Sequence, residues 1–516
     1  MLEKIASIND AVNGFVWVTI GIWILIGTGI LMTFVTKFFQ VTHFVYWIKN
    51  TIGSILSKKV SGHVEDKGTV SQFQALCTAL AATVGVGNIA GVAGAIASGG
   101  AGAVFWMWFA AFFGMMTNYS ENVLGIFYRR KNDKGEWSGG AMYYLADGLG
   151  SFKNCKTLGK VLAVAFAIFA VLASFGIGNL SQINTIVANI ESAFRIDALA
   201  DIQLYDGVSL YAVIIGIALM IIGALIIIGG LKRIASFAEK VIPFMIILYI
   251  AGSLVVIGVN YKNVGAAFSA IFSTAFSPKA AWGGVVGLTI KQVVTWGFKR
   301  GCFSNEAGLG SSVMVHSSST AKEPVTQGMW GIFEVFADTI IICTMTALVV
   351  LTSGVINLDT GAMREGLTGN TTMVAAAFES VFGGLGSKFI ALAVLLFAFT
   401  TVLGWSYYGS KTVEYLGGTK AVSVYKVVFV LAMILGALLT NSLAWDISDT
   451  FNGMMMIPNL IGVIALSGTV YKITKNYTDR KFKGKDIKPM LSFNDEIQEK
   501  HENELLQEEI SDTAKV

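Results

Sequence analysis

The chain is predicted to be an all-α membrane protein of about eleven transmembrane helices, and three observations predict it. Of its 516 residues, 54% are hydrophobic and only 14% charged, where a soluble domain carries roughly 25% charged residues. The apolar residues come in long runs rather than in the alternation of a β-barrel strand. There are 57 glycines against 5 prolines, a balance that suits long helices whose backbones approach closely.

A bilayer core of roughly 30 Å takes about 20 apolar residues as helix. By that measure, spans are expected at 15–35, 73–97, 102–127, 161–190, 210–231, 241–259, 282–315, 332–351, 389–408, 424–439 and 451–471. The span 282–315 is discontinuous. The N-terminus carries no clear cleavable signal: Asp10 precedes a run, 15–35, already long enough to span.

Loop charge fixes the orientation. Lys49, Lys58, Lys59 and Lys67 follow the first span, and Arg129, Arg130, Lys131, Lys134, Lys153, Lys156 and Lys160 follow the third. Lys232, Arg233 and Lys240 follow the fifth, and Lys472, Lys475, Arg480, Lys481, Lys483 and Lys485 follow the last. The alternate loops are acidic, with Glu191, Asp197, Asp201 and Asp206 in one and Asp359, Glu365 and Glu379 in another. The N-terminus is therefore expected outside and the C-terminus in the cytoplasm, in the inner (plasma) membrane. The aromatic and polar stretch 38–55 is expected as an amphipathic helix on the inner surface. The charged stretch 473–516 is expected as a mobile, solvated cytoplasmic tail.

The net charge of +4 and the placing of basic residues in short loops give no support for nucleic-acid binding. Cys77, Cys155, Cys302 and Cys343 show no metal-ligand spacing and read as small core residues. No transition metal or cofactor is expected, and no catalytic dyad is visible, so the chain is not read as an enzyme.

Two spans are interrupted. The first holds Gly85, Gly87, Gly91 and Gly94 around Asn88; the second holds Gly297, Gly301, Gly308 and Gly310 around Ser304, Asn305 and Glu306. Open backbone is tolerated at membrane depth only where it is buried in protein or lines a cavity. With 15–35 set aside as an extra helix, each interrupted span opens a set of five. An odd number makes the second set run opposite to the first, the inverted repeat of an alternating-access carrier. The boundaries are 1–70 for the extra helix and amphipathic segment, 71–260 for the first set, 261–472 for the second and 473–516 for the tail. Unwound turns offer N–H groups to a carboxylate and carbonyls to a sodium ion.

Six motifs carry a family resemblance: TVGVGNIAG (83–91), ENVLGIFYR (121–129), GGAMYYL (139–145), FGIGNLSQ (175–182), RGCFSNEAGLGSS (300–312) and TTVLGWSYYG (400–409). With them the chain resembles the alanine or glycine:cation symporters, over nearly all its length except the tail. That family belongs to the amino acid-polyamine-cation superfamily, with the leucine-transporter fold. The resemblance implies a sodium site from the carbonyls of Ala81, Val84 and Phe397 and the hydroxyls of Thr400 and Thr401. It implies a substrate site from Thr83, Gly85, Gly87, Asn88, Gln182, Phe303, Asn305, Gly310 and Trp405. The N–H groups near Gly85–Gly87 and Gly308–Gly310 would hold a carboxylate, Asn88 would orient it or its turn, Gln182 would meet the ammonium or carboxylate, and Phe303 and Trp405 would form an apolar wall.

Charge at membrane depth is costly, so each charged group needs a partner or a water path. The simplest pairing is Arg300 with Glu306, bracing the second break, with substrate contact the sharper alternative. Glu334 and Asp338 lie four apart on one helix face, as a structural pair or a proton site. Glu121, Arg129 and Arg130 close the inner end of the third span as inner-gate or interface residues, and His316 is the only histidine near a binding segment. The implied function is sodium-coupled symport of a small neutral amino acid, alanine or glycine, into the cytoplasm. The alternatives are proton coupling, a glutamine-preferring member, and, from another class, an ion channel. Oligomeric state and exact substrate are not readable from the sequence.

Overall fold

The computed structural model describes residues 2–56, 68–205, 207–276, 289–367, 370–439 and 443–513. The helices in chain order are α1 (Ala6–Val35), α2 (Gln72–Thr83), α3 (Gly87–Gly99), α4 (Gly102–Phe127), α5 (Lys156–Ala193), α6 (Leu210–Ile227), α7 (Gly230–Val259) and α8 (Val264–Phe276). There follow α9 (Ile290–Asn305), α10 (Val313–His316), α11 (Pro324–Thr352), α12 (Thr371–Phe382), α13 (Leu385–Leu438), α14 (Leu443–Ala465), α15 (Ser467–Lys483) and α16 (Asp495–Thr513). Two short antiparallel hairpins interrupt them: β1 (Arg130–Lys131) with β2 (Trp137–Ser138), and β3 (Gln203–Tyr205) with β4 (Val208–Ser209).

Among the described residues, six helices are long and apolar enough to cross a membrane, or up to eight if each of two bent pairs is one span. Eleven is not reached by that measure, for three physical reasons. The 26-residue α4 is long enough, at about 1.5 Å per residue, but its second half buries Thr117, Asn118, Ser120, Glu121 and Asn122. The α9 helix stops after 16 residues, and the expected start of that span, 282–288, lies outside the described residues. The expected spans 389–408 and 424–439 run on as one 54-residue element, broken only at Gly418 (φ 75°, ψ 178°). Lys58, Lys59, Lys67 and Asp206, used for the orientation, also lie outside the described residues.

The exterior is apolar, and the interior, apolar over most of its extent, also encloses polar side chains. Trp23, Leu225, Ile247 and Leu435 are exposed, while Asn88, Asn118, Glu334 and Asp338 are buried. In lipid, association rests on close packing and interhelical hydrogen bonds of about 0.6 kcal/mol each. Glycine provides the packing: a Cβ at Gly297 would fall 2.6 Å from the Ala103 carbonyl oxygen, and one at Gly404 2.7 Å from Ala82 Cβ. The extra helix α1 is held by Trp17, whose indole N–H donates to the Asp449 carbonyl at 3.0 Å. The stretch 38–55 forms three short helices; Phe39 and Trp47 are buried in the protein while Phe44 and Val45 face outward.

The described part of the tail, 473–513, differs from expectation. It is docked rather than solvated: Ile473, Tyr477, Leu491 and His501 are buried. Its charges pair locally, Asp479 taking Lys475, Lys483 and Lys485 at 2.9, 2.8 and 3.0 Å. The segment lies back on the bundle at the end of α4.

Candidate functional site

Both interrupted regions begin alike. Ser71 and Gln74 close a reciprocal cap on α2, and Thr289 and Gln292 close one on α9. The α2 helix ends at Thr83, and Val84 leaves helical geometry at φ −77°, ψ 87°. The Gly85 N–H donates to Asn88 Oδ1 at 2.9 Å. The Ala81 carbonyl therefore loses the donor that a continuing helix would supply. A wider helical turn, Gly87–Gly91, restarts the chain at a bend of 53°. Glycine lets the break pack closely: a Cβ at Gly85 would lie 2.5 Å from Thr401 Oγ1 and 3.5 Å from Gln182 Oε1, and one at Gly87 would lie 3.2 Å from Phe303 Cδ1.

The second break follows Asn305. Glu306 turns left-handed (φ 56°), and Gly308 and Gly310 follow with φ 92° and 71°, a conformation glycine adopts without steric cost. The Asn305 Oδ1 accepts from the Ala307 N–H at 3.0 Å, and its amide donates to Thr339 Oγ1 at 2.9 Å. The Gly310 N–H donates to Glu121 Oε1 at 3.2 Å, and Asn459 donates both to Glu121 and to the Gly308 carbonyl. Glu121 thus braces this turn instead of lying at an inner gate, and the Gly310 N–H is occupied, not aimed at the first break.

The expected Arg300–Glu306 pair does not form. The left-handed turn swings Glu306 toward α13, where it accepts from the Trp405 indole at 2.9 Å and from Ser311. The Arg300 guanidinium instead lies 5.3 Å from the Trp296 ring centre and 5.5 Å from that of Phe303. Lys299 pairs with Asp449 at 2.5 Å. Nor do Glu334 and Asp338 act together. Glu334 meets His316 at 3.0 Å and Asn118 at 3.4 Å. Asp338 joins the two breaks: Oδ1 accepts from Asn88 Nδ2 at 2.7 Å and Oδ2 from Ser304 Oγ at 2.8 Å. Sequence reasoning noticed Asp338 but missed this role; an acid deep within a mostly apolar helix, four residues after Glu334, was the available signal.

The structure brings together most of the residues named for the two sites. The end of α2 packs on α13 through Gly85 against Thr401 and Ala82 against Gly404. Ala81 and Val84 thereby share one contact region with Phe397, Thr400 and Thr401. Both hydroxyls donate to the Phe397 carbonyl, at 2.9 and 3.0 Å, and each keeps lone pairs for a further partner. Gln182 donates to the Ile177 carbonyl at 3.0 Å, and its buried Oε1 has no hydrogen-bond partner. The Trp405 side chain packs on Gly178, where an added Cβ would fall 2.4 Å away. Thr83 turns to its own helix, bonding the Ala79 carbonyl at 3.2 Å.

A cavity of about 330 Å³ reaches this region, lined by Val86, Gly87, Asn184, Arg300, Phe303 and Asn370 among others. On the opposite side lies a cavity of about 320 Å³ lined by Tyr407, Ser410, Lys411, Glu414, Lys134 and Lys426 among others. Between them, Tyr407 and Ser318 share a hydrogen bond of 2.7 Å. The buried Arg129 holds the carbonyls of Ser317, Ser319 and Ala321 at 3.1, 2.7 and 2.6 Å. One cavity of mixed polar and apolar lining thus adjoins the first break, and the Tyr407–Ser318 and Arg129 contacts lie toward the other.

A family model described as the sodium:alanine symporter family matches residues 2–490. The sodium/alanine symporter AgcS of Methanococcus maripaludis is 41% identical over 475 residues, 92% of this chain and 97% of that one. The probable sodium/glutamine symporter GlnT of Bacillus subtilis is 35% identical over 94% of this chain and 93% of its own length. The putative sodium/proton-dependent alanine carrier YrbD of the same organism is 36% identical over 94% of each chain. Among solved structures, MhsT in complex with L-phenylalanine superposes with a TM-score of 0.49 at 14% identity, covering 80% of this chain and 99% of that one.

Proposed function

The chain belongs to the sodium:alanine symporter family, and from that premise we propose that this multi-pass membrane transporter carries a small neutral amino acid into the cytoplasm together with Na⁺. One observation carries the reading: the break between α2 and α3 touches Thr401 and Gln182 on one side and Phe303 on the other. A broken helix, a hydroxyl pair and an apolar wall therefore meet beside one cavity.

In this reading Na⁺ takes the carbonyls of Ala81, Val84 and Phe397 with the hydroxyls of Thr400 and Thr401. The cage is neutral, so the ion keeps its charge and can leave. The open Oε1 of Gln182 accepts from the substrate ammonium, and Phe303 and Trp405 limit the side chain to hydrogen or methyl. Asn88 and Asn305 brace the two turns instead of binding substrate. The cavity at Phe303 is the outer vestibule, and the basic cavity below Tyr407 is the inner one, which puts the N-terminus outside and the C-terminus in the cytoplasm. Sodium then steadies α2 against α13, the amino acid binds beside it, the outer side closes and the Tyr407–Ser318 contact opens. The membrane potential adds about 2.3 kcal/mol per 100 mV for each charge moved. No cofactor is needed beyond Na⁺ as the coupling ion.

Competition uptake with a panel of amino acids, with and without Na⁺, tests this on the wild type and Thr401→Ala. Accumulative uptake of alanine or glycine that needs Na⁺, and loses sodium stimulation in Thr401→Ala, is expected. Stimulation that survives the substitution overturns the ion assignment. The buried His316–Glu334 pair favours a second reading, proton coupling, which predicts uptake in sodium-free buffer that rises as outside pH falls.

A further inference from the structure

The segment after residue 490 lies beyond the family match, and it is seated at the end of α4, beside Arg129. Leu491 is fully buried. The Phe493 N–H donates to the Phe127 carbonyl at 2.9 Å, and the Phe493 ring packs 5.0 Å from that of Tyr128. The loop holds its own shape, since Gln498 accepts from the Leu491 and Ser492 N–H groups at 2.8 and 3.0 Å and donates to the Pro489 carbonyl at 2.7 Å. Further along, Glu504 of α16 pairs with Lys322 at 3.2 Å, and His501 packs 5.9 Å from the Trp137 ring.

These contact points share a mechanical property: each adjoins the closure. Phe127 and Tyr128 end α4, one residue before Arg129, whose guanidinium holds the three carbonyls that follow α10. Trp137 carries that guanidinium on its ring at 3.9 Å, and its carbonyl accepts from Lys411 of α13 at 3.0 Å. Lys322 lies just past the last of those carbonyls, at the entry to α11. An opening that parts the end of α4 from the stretch after α10 must break the Arg129 contacts and pull Phe127 away from Lys322, and the seated segment spans those two points.

We propose that residues 491–513 are an intramolecular latch: they dock on the face formed by Phe127, Trp137 and Lys322, hold the Arg129 closure shut and slow the opening of the Tyr407 side. The occupant is this chain's own C-terminal segment. The inference rests on the transport reading, because a closure matters only if it must open. Its energy is modest, since the exposed ion pair adds little; the buried Leu491 and the backbone bond to Phe127 supply most of it.

The test uses full-length protein in proteoliposomes, a second form ending at Met490, and a full-length Tyr128→Cys/Phe493→Cys form joined by a reducible bis-thiosulfonate crosslinker. Two quantities are read: sodium-driven alanine uptake, and the rate at which Ser410→Cys in the inner cavity reacts with an impermeant thiol reagent. Removing the segment is expected to raise both the maximal uptake and the Ser410→Cys reactivity about threefold, with KM unchanged, the effect of releasing a contact of under 1 kcal/mol. Crosslinking is expected to lower both, and reduction to restore them. If the shortened form folds poorly, the crosslinked form decides alone. Equal reactivity in the crosslinked and reduced states overturns the latch. Absence of alanine uptake in the intact chain would count against the transport reading instead, and the reactivity arm still reads the latch.

Discussion

Asn88 and Asp338 hydrogen-bond at 2.7 Å from helices 250 residues apart in sequence. The same Asn88 accepts the Gly85 N–H, and the same Asp338 accepts Ser304 Oγ. One carboxylate therefore sets the first break against the end of α9. Removing it leaves Asn88 and Ser304 only long contacts, to the residue 338 carbonyl and to Cys343 Sγ, at up to about 1–3 kcal/mol each. Asp338→Ala should lower initial uptake at least about tenfold, more than it lowers the thermal midpoint in detergent. Uptake at the wild-type rate would remove the coupling role.

Gly85→Ala forces a Cβ to 2.5 Å from Thr401 Oγ1. Either Thr401 or the turn must shift, and both belong to the proposed sodium shell. Sodium-stimulated uptake should fall at least about tenfold, as misplacement of a binding group does in other sites. Gly27→Ala in α1 is the control, since an added Cβ there meets nothing within 4 Å. If both variants transport alike, the close approach at Gly85 has no functional meaning.

The two breaks were legible in the sequence, because glycine clusters mark open backbone. Gly85, Gly87, Gln182, Phe303 and Thr401 do meet. What failed depended on tertiary direction. Spacing put Arg300 near Glu306, but one left-handed residue at the end of α9 sends Glu306 to Trp405 instead. Glu334 and Asp338 shared a face on regular helix, yet α11 widens over Phe336–Cys343 and the two acids meet different partners. The Gly310 N–H pointed to substrate only while Glu121 was placed elsewhere. The charged tail looked solvated because its ion pairs and its buried Leu491 are contacts that composition does not display.

Gly310→Ala is expected to act on stability. At φ 71° a side chain is strained, and its Cβ would lie 2.7 Å from Asn459 Cγ, the residue that ties Glu121 to Gly308. The combined cost is about 2–4 kcal/mol, which should lower the detergent-solubilised melting point by several degrees. An unchanged melting point would mean that the loop repacks freely, and Glu121 would then lose its assigned role as brace.

The docked tail should loosen in acid, and the sign follows from His501. Its imidazole lies outside the membrane-spanning helices, and its pKa falls from 6.5 to about 3 through burial first and then through Arg129, Lys322, Lys500 and Lys131. A freed tail returns the ring to its ordinary value, so the free form takes up the proton more readily. Docking is therefore fully favourable above about pH 6.5 and weakens as pH falls from there toward 3. Limited proteolysis of the tail in detergent-solubilised protein should be slow at about pH 7.5 and several-fold faster at about pH 5.5. His501→Phe keeps a ring beside Trp137 and carries no proton, so its cleavage rate should change little between the two. A wild-type tail cut equally fast at both pH values would show that protonation of His501 does not oppose docking.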